Sequence, residues 1–327
     1  MMKNDNVFKK MEDSISALEL SEDDKNVILE GILKLKKETV NLMITGATGC
    51  GKSSTINAMF NANVAKVGMG VDPETMSIKK YELDNLILWD SPGLGDGKEK
   101  DIQHSKGIIK KLNELDSNGD PLIDLVLVIL DGSSRDLGTS YELINQVIIP
   151  NLGGQIENRI LIAINQADVA MKGKYWDYDK NQPQERLVNF LNDKVESVKS
   201  RVKEATGIDI EPICYAAGYK DDDQEQHPWN LSKLLCFIVK NTPEKKRLSY
   251  VDNLSTRKEM WEDDDELEDY KKETRKSFQE VAKHVASNTA AGAATGAAIG
   301  SVIPVVGTAI GAAVGAVCGF VSGLLGL

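Results

Sequence analysis

The chain has 327 residues with 39 basic and 50 acidic side chains, a formal charge of −11, and is 41% apolar and 27% charged. This balance excludes global disorder and broad, nonspecific attraction to nucleic acid, and the length allows one sizeable core with smaller flanking parts. Cys50, Cys214, Cys236 and Cys318 are far apart with no CxxC pair, which argues against a zinc site or a disulfide framework and fits a reducing cytoplasm.

Val7, Met11, Ile15 and Leu18 recur at helical spacing, and Ser21-Glu-Asp-Asp24 offers a cap for a helix over Val27 to Leu35. Residues 1–38 are therefore expected to form two packing helices, without the uninterrupted apolar stretch of a secretory leader. From Val40 the texture changes. The runs VNLMIT, NLILWD, IDLVLVIL, RILIAIN and EPICYA alternate with amphipathic segments, the pattern of a mostly parallel sheet between helices. MSIKKYEL alternates apolar and polar residues as a half-exposed edge strand would, giving six strands. Helices are expected over 52–60, 100–115, 140–149, 183–205 and 230–239, closing an α/β domain at 39–242. Residues 243–284 are dense in charge and predict a solvated helix or linker. Residues 285–327 contain no charged side chain.

The segment GATGCGKS fits G-x-x-x-x-G-K-[ST] between a strand and a helix, the setting a phosphate-binding loop requires. Gly46, Gly49 and Gly51 allow tight turns, so that the backbone of Ala47, Thr48 and Cys50 and the helix start at Ser53 and Ser54 can point N–H groups at an anion. Lys52 supplies charge to the β- and γ-phosphates and Ser53 a hydroxyl to Mg²⁺. In DSPG at a strand end, Asp90 would hold Mg²⁺ through water and the Gly93 amide would sense the γ-phosphate. Thr75, in the glycine-bearing stretch KVGMGVDPET, is the candidate to close over Mg²⁺ and the γ-phosphate.

Strand RILIAIN runs into Asn165-Gln166-Ala167-Asp168. The Asp168 carboxylate can accept from both N1–H and the 2-amino group of guanine, donors that adenine does not present together. Asn165 would brace this loop, Gln166 would cover the ring, and in YAAG the Ala216 amide is expected to face guanine O6. Tyr175, Trp176 and Tyr178 in KYWDYDK read as a local packing cluster.

With these motifs in this order, residues 39–242 resemble a P-loop GTPase of the Era-like branch within the translation-factor-related class. The string GATGCGKSSTINAMF with DSPGLGDG is similar to bacterial relatives of the immunity-related GTPases. The resemblance implies that GTP and GDP bind with Mg²⁺ and that GTP is hydrolysed. It also marks departures. Gln166 replaces a lysine, Leu94 stands where a water-orienting glutamine follows the DxxG glycine, and Gly49 replaces the asparagine of potassium-activated relatives. Slow unaided turnover is expected, with a partner or a second copy completing the site across the nucleotide-binding face; Arg135 and Asp96 are the contributors considered within the chain.

Gly292, Gly296 and Gly300, and then Gly307, Gly311, Gly315, Gly319 and Gly323, fall every fourth residue with Pro304 between the series. This glycine zipper predicts a hairpin of two apolar arms, inserted in a membrane, reversibly bound to one, or packed in a soluble form. Val305 to Leu327 is long enough to cross a hydrocarbon layer. The leading expectation is a cytoplasmic, membrane-associated switch or remodelling GTPase at the inner face of the cell membrane. The alternatives are a pore-forming effector regulated by its GTPase domain, and a ribosome-assembly GTPase, for which no basic RNA-binding module follows the domain.

Overall fold

The computed structural model describes residues 6–61, 66–69, 78–154, 156–221, 224–287 and 292–307. Its central sheet contains β1 (Val40–Gly46), β2 (Lys66–Met69), β3 (Lys79–Leu83), β4 (Leu86–Asp90), β5 (Leu125–Asp131) and β6 (Ile160–Asn165). Hairpin β7 (Trp176–Asp177) with β8 (Gln182–Pro183) precedes the last sheet strand, β9 (Ile213–Cys214), and hairpin β10 (Tyr219–Asp221) with β11 (Gln224–Gln226) follows it. The sheet order is β2-β3-β4-β1-β5-β6-β9, parallel except for antiparallel β2 and β3 at one edge. All six expected strands are present, and β2 adds a seventh at the edge.

The helices are α1 (Val7–Ser16), α2 (Glu22–Leu35), α3 (Lys52–Met59), α4 (Lys98–Leu112), α5 (Gly138–Glu142), α6 (Ile156–Arg159), α7 (Glu185–Thr206), α8 (Leu231–Asn241), α9 (Tyr270–Ala286) and α10 (Gly292–Ser301). A π-helical stretch, Leu143–Ile148, continues α5. Alternation along the central strands feeds two cores. Leu42, Ile44, Leu125, Leu127 and Ile129 face one that includes residues of α1, α2, α3, α8, α9 and α10, whereas Met43, Val126, Val128 and Leu130 face the other, with α4, the π-helical stretch and α7. The expected cap is in place: Ser21 Oγ accepts the Asp24 amide at 3.1 Å and donates to Asp24 Oδ2 at 2.8 Å.

The charge density of 243–284 predicts a solvated linker, and here the structure differs. Leu248, Tyr250, Val251, Leu254, Met260, Trp261 and Phe278 are buried in the first core. The segment is stitched to the end of α3, with the Ser255 amide donating to the Met59 carbonyl and Asn61 to Asn253, both at 2.9 Å. Lys246 pairs at 2.7 Å with buried Asp124, which also accepts the Asn41 amide. The charges occupy the rim while spaced apolar residues turn inward.

The first glycine series packs against α9. A Cβ at Gly296 would meet Lys283 Cα at 3.0 Å, and one at Gly300 would meet Gln279 Cγ at 3.4 Å. Thr295, Ile299, Ile303 and Val306 are buried. Helix α10 stops at Ser301, short of Pro304, as the residue preceding proline disfavours helix. Most of the second arm, 308–327, lies outside the described residues. Among the described residues no helix is long and apolar enough to cross a membrane.

Candidate functional site

The C-terminal ends of β1, β4, β5 and β6 meet at one edge of the sheet, the side on which open α/β sheets take ligands. From β1 the chain enters the loop before α3. Gly46, Gly49 and Gly51 have φ of 148°, 81° and 91°. A Cβ would meet the Ile129 carbonyl oxygen at 2.2 Å from Gly46 and Asn165 Nδ2 at 2.1 Å from Gly51, so conformation and space both demand glycine. Lys52 Nζ donates to the carbonyls of Ala47 at 3.0 Å and Gly46 at 3.3 Å. Ser53 and Ser54 are exposed on the first turn of α3, whose leading amides have no intrahelical acceptor. Cys50 is buried beneath the loop, and burial pushes its thiol up.

Two loop amides are already engaged: Thr48 N–H donates to the Leu94 carbonyl at 3.0 Å, and Cys50 N–H to the Ala47 carbonyl at 3.4 Å. The expected anion cradle thereby narrows to the backbone around Gly49 and the start of α3. The loop after β4 leans on this region. A Cβ at Gly93 would lie 2.5 Å from both Thr48 N and Thr48 Cα. Asp96 accepts the Thr48 hydroxyl at 3.0 Å, Asp101 accepts the Gly95 amide at 2.9 Å, and His104 Nδ1 lies 3.1 Å from the Gly93 carbonyl.

Asp90 is only 6% exposed, and its Oδ1 has no hydrogen-bond partner. Burial pushes its carboxyl up, opposed by the charges of Lys52 and Lys79. A buried orphan oxygen anion-side of the loop, with the Ser53 hydroxyl on the adjoining helix, suits a hydrated divalent cation, so the residues fit Mg²⁺. Thr75 lies outside the described residues. Leu94 is buried, and Arg135 is exposed on the loop after β5 and makes none of these contacts. That loop is pinned instead by Lys194 Nζ, which donates to the carbonyls of Gly132 and Ser134 at 2.7 and 2.6 Å.

At the other end, Asn165 Nδ2 donates to the Cys50 carbonyl and Asn165 Oδ1 accepts the Ala217 amide, both at 2.9 Å. Gln166, at φ 63°, donates through Nε2 to the Gly49 carbonyl at 2.8 Å, reaching the phosphate loop as a lysine amine would. Asp168 is 7% exposed, and burial pushes its carboxyl up against the hydrogen bonds of local backbone amides and Gln226. The expectation for Ala216 is corrected: its amide donates to the Trp229 carbonyl at 3.0 Å and its carbonyl accepts from Trp229 at 2.9 Å. The amide of Gly218, further along the same turn, becomes the candidate to face O6.

Sequence motifs did not point to Thr55, Tyr215, His104, Asn181 or Gln226. Thr55 Oγ1 and Tyr215 OH are 2.6 Å apart and buried, joining α3 to the turn after β9. Trp176 packs edge-on against Trp229 at 5.7 Å, while Tyr178 is exposed.

Toc33 of Arabidopsis thaliana, solved in complex with Mg²⁺ and GMPPNP, aligns at 14% identity over 65% of this chain and 85% of its own, with a TM-score of 0.37. Two Escherichia coli K12 proteins are similar in sequence: YfjP, 29% identical over 173 residues (52% of this chain, 55% of the relative), and YkfA, 28% identical over 146 residues (44% and 47%). The chain spans about half the length of these curated relatives. Residues 41–166 match the family described as 50S ribosome-binding GTPase, a stretch that includes the phosphate loop, Asp90, Asn165 and Gln166. Together with the fold and the glycine-built loop, this match marks residues 41–166 as a P-loop GTPase domain.

Proposed function

We propose that the protein is a guanine-nucleotide switch that hydrolyses GTP slowly alone and faster when a partner or second copy meets its nucleotide-binding face. The observation that supports a single site is the pair of bonds from Asn165 to Cys50 and from Gln166 to Gly49, which ties the base-reading strand end to the phosphate loop. In this reading Lys52 neutralises the γ-phosphate, the Gly93 amide senses it, and Asp168 reads the base edge. Ser53 and Asp90 would hold Mg²⁺, with Thr75 the expected further ligand, and the cation would supply charge neutralisation to the β- and γ-phosphates. Buried, apolar Leu94 cannot orient water, and the Asp96 carboxylate is held beside the loop by its bond to the Thr48 hydroxyl. Phosphate release measured over a range of protein concentrations, with GTP and ATP in parallel, tests this. The rate per molecule is expected to rise with concentration for GTP only. Rapid, concentration-independent turnover sinks the partner, and equal use of ATP sinks the guanine reading.

The second element of the proposal is reversible association of a cytoplasmic protein with the inner face of the cell membrane through residues 285–327. Its support is the uncharged composition of this segment and the apolar face that α10 stores against α9 and the core. Liposome flotation with GDP and with a nonhydrolysable GTP analogue tests it; absence of flotation in both states removes it. Dye leakage would favour a pore-forming effector. Co-sedimentation with 50S subunits would favour the ribosomal role named in the family description, against which the acid excess argues.

A further inference from the structure

We infer that His104, from outside the nucleotide motifs, is a positioning residue for the γ-phosphate sensor, holding the peptide that follows Gly93 so that the Gly93 amide stays open to the ligand. The inference rests on the proposed reading of Gly93. That position is glycine for want of room, since a Cβ would lie 2.5 Å from both Thr48 N and Thr48 Cα. The same lack of a side chain leaves its torsions soft, so the direction of its N–H has to be set by neighbours.

Those neighbours act on both sides. Upstream, the Ser91 amide donates to the Ile44 carbonyl at 3.0 Å and Ser91 Oγ donates to Thr45 Oγ1 at 2.7 Å. Downstream, the Leu94 carbonyl accepts the Thr48 amide at 3.0 Å and the Gly95 amide donates to Asp101 at 2.9 Å. Between these anchors half-buried His104 places Nδ1 3.1 Å from the Gly93 carbonyl. A carbonyl oxygen only accepts, so the imidazole carries hydrogen on Nδ1 and donates it. Asp101 and His104 stand three residues apart on α4 and share a face, so the helix grips two successive peptides, one through a donor and the next through an acceptor. Among the described residues the Gly93 amide itself donates no hydrogen bond, while the amides of Thr48, Ser91 and Gly95 are all engaged. The loop is therefore fixed around one open N–H that lies against the phosphate loop at Thr48.

The test compares affinities of the full chain, with Mg²⁺ present, for GDP and for GMPPNP, the nonhydrolysable analogue that carries a third phosphoryl group. A residue that merely packs α4 against the loop would weaken both alike, whereas loss of Gly93 alignment weakens GMPPNP selectively. H104A is expected to lower the GMPPNP-to-GDP preference by about fivefold to tenfold, the effect of one well-placed hydrogen bond. H104N, whose Nδ2 takes the place of imidazole Nδ1, is expected to recover most of that preference. Proportionate weakening of both nucleotides, no change in either, or the same loss in H104N as in H104A overturns the inference. G93A separates it from its premise: if G93A keeps the wild-type preference, the sensing role of Gly93 falls and takes the inference with it. If G93A loses the preference while H104A keeps it, only the inference falls.

Discussion

The phosphate end and the guanine end of the site are built in different ways. The loop at the proposed phosphate end is one continuous stretch, residues 46–54, whose shape follows from glycine conformations and the start of α3. The proposed guanine end is assembled from separate segments, the end of β6 with Asp168 after it and the turn after β9, held together by the Ala217 amide on Asn165. Three struts join the two: Asn165 to Cys50, Gln166 to Gly49, and Tyr215 to Thr55. A site made by local backbone geometry is insensitive to distant packing, whereas one made by tertiary contacts inherits every weakness of the layers that carry it.

The largest expected effect isolates the phosphate end. Lys52→Ala should lower single-turnover phosphate release by roughly 10²–10⁴-fold, as loss of a transition-state charge contact does, while the melting temperature changes little. Equal loss of thermal stability would mean that Lys52 chiefly holds the loop together through the Gly46 and Ala47 carbonyls. Gly51→Ala should damage both ends at once. It forces a positive φ on alanine, at about 1–3 kcal/mol, and drives a methyl into Asn165 Nδ2. GDP affinity is expected to fall by about tenfold to a hundredfold, read by titration calorimetry. If affinity falls while the preference over inosine diphosphate, which lacks the 2-amino group, stays intact, Asn165 is not transmitting strain between the ends.

The same contrast explains what the sequence made legible. Gly46 to Ser53 and the strand ending at Asp90 are short-range patterns with a direct physical reading, and they appear where expected. The engagement of Ala216 with Trp229 was hidden because it is a pairing across 13 residues of chain with no motif at either end. Leu248, Tyr250, Val251 and Leu254 were masked by the neighbouring charges of EKKR, since averaging charge over a segment loses a sparse inward face. The spacing of Gly292, Gly296 and Gly300 predicts a hairpin of two arms, whereas the described residues place Gly296 and Gly300 against Lys283 and Gln279 of α9, a neighbour that spacing cannot name. Strand β2 carries little apolar signal and gains its hydrogen bonds from β3.

A smaller effect probes the strut between Thr55 and Tyr215. Burial pushes the Tyr215 phenol up, against the opposing effect of its hydrogen bond with Thr55, so it stays neutral and acts only as a hydrogen-bonding group. Tyr215→Phe and Thr55→Val should each destabilise the protein by about 1–2 kcal/mol, because each leaves a buried hydroxyl without this partner. The double variant should be little worse than either single one. Urea unfolding of the four proteins measures that coupling, and strict additivity would show that the 2.6 Å contact contributes nothing of its own. Nucleotide affinity should fall only a few-fold, since Asn165 and Gln166 still join the ends.

The smallest effect lies away from both ends and supplies their control. Asp252 receives the Val7 amide on both carboxylate oxygens, at 3.0 and 3.2 Å, yet burial pushes its carboxyl up to about 6 from 3.8. The folded state therefore keeps this proton to higher pH than the unfolded chain does. Its contribution to stability is complete below about pH 4 and is lost as pH rises through about 6. Asp252→Asn removes that slope but weakens one acceptor for Val7, so the net gain at pH 7 is expected to be about 1 kcal/mol. Buried Asp90 and Asp168 are pushed in the same direction, and the proposed Mg²⁺ and base-reading roles use them ionised, so GDP affinity is expected to rise with pH. Urea midpoints of wild type and D252N between pH 4 and 7, beside GDP affinities of both, separate the two trends. D252N should flatten only the first, and a matching change in the affinity profile would mean that the docking of α1 reaches the nucleotide site.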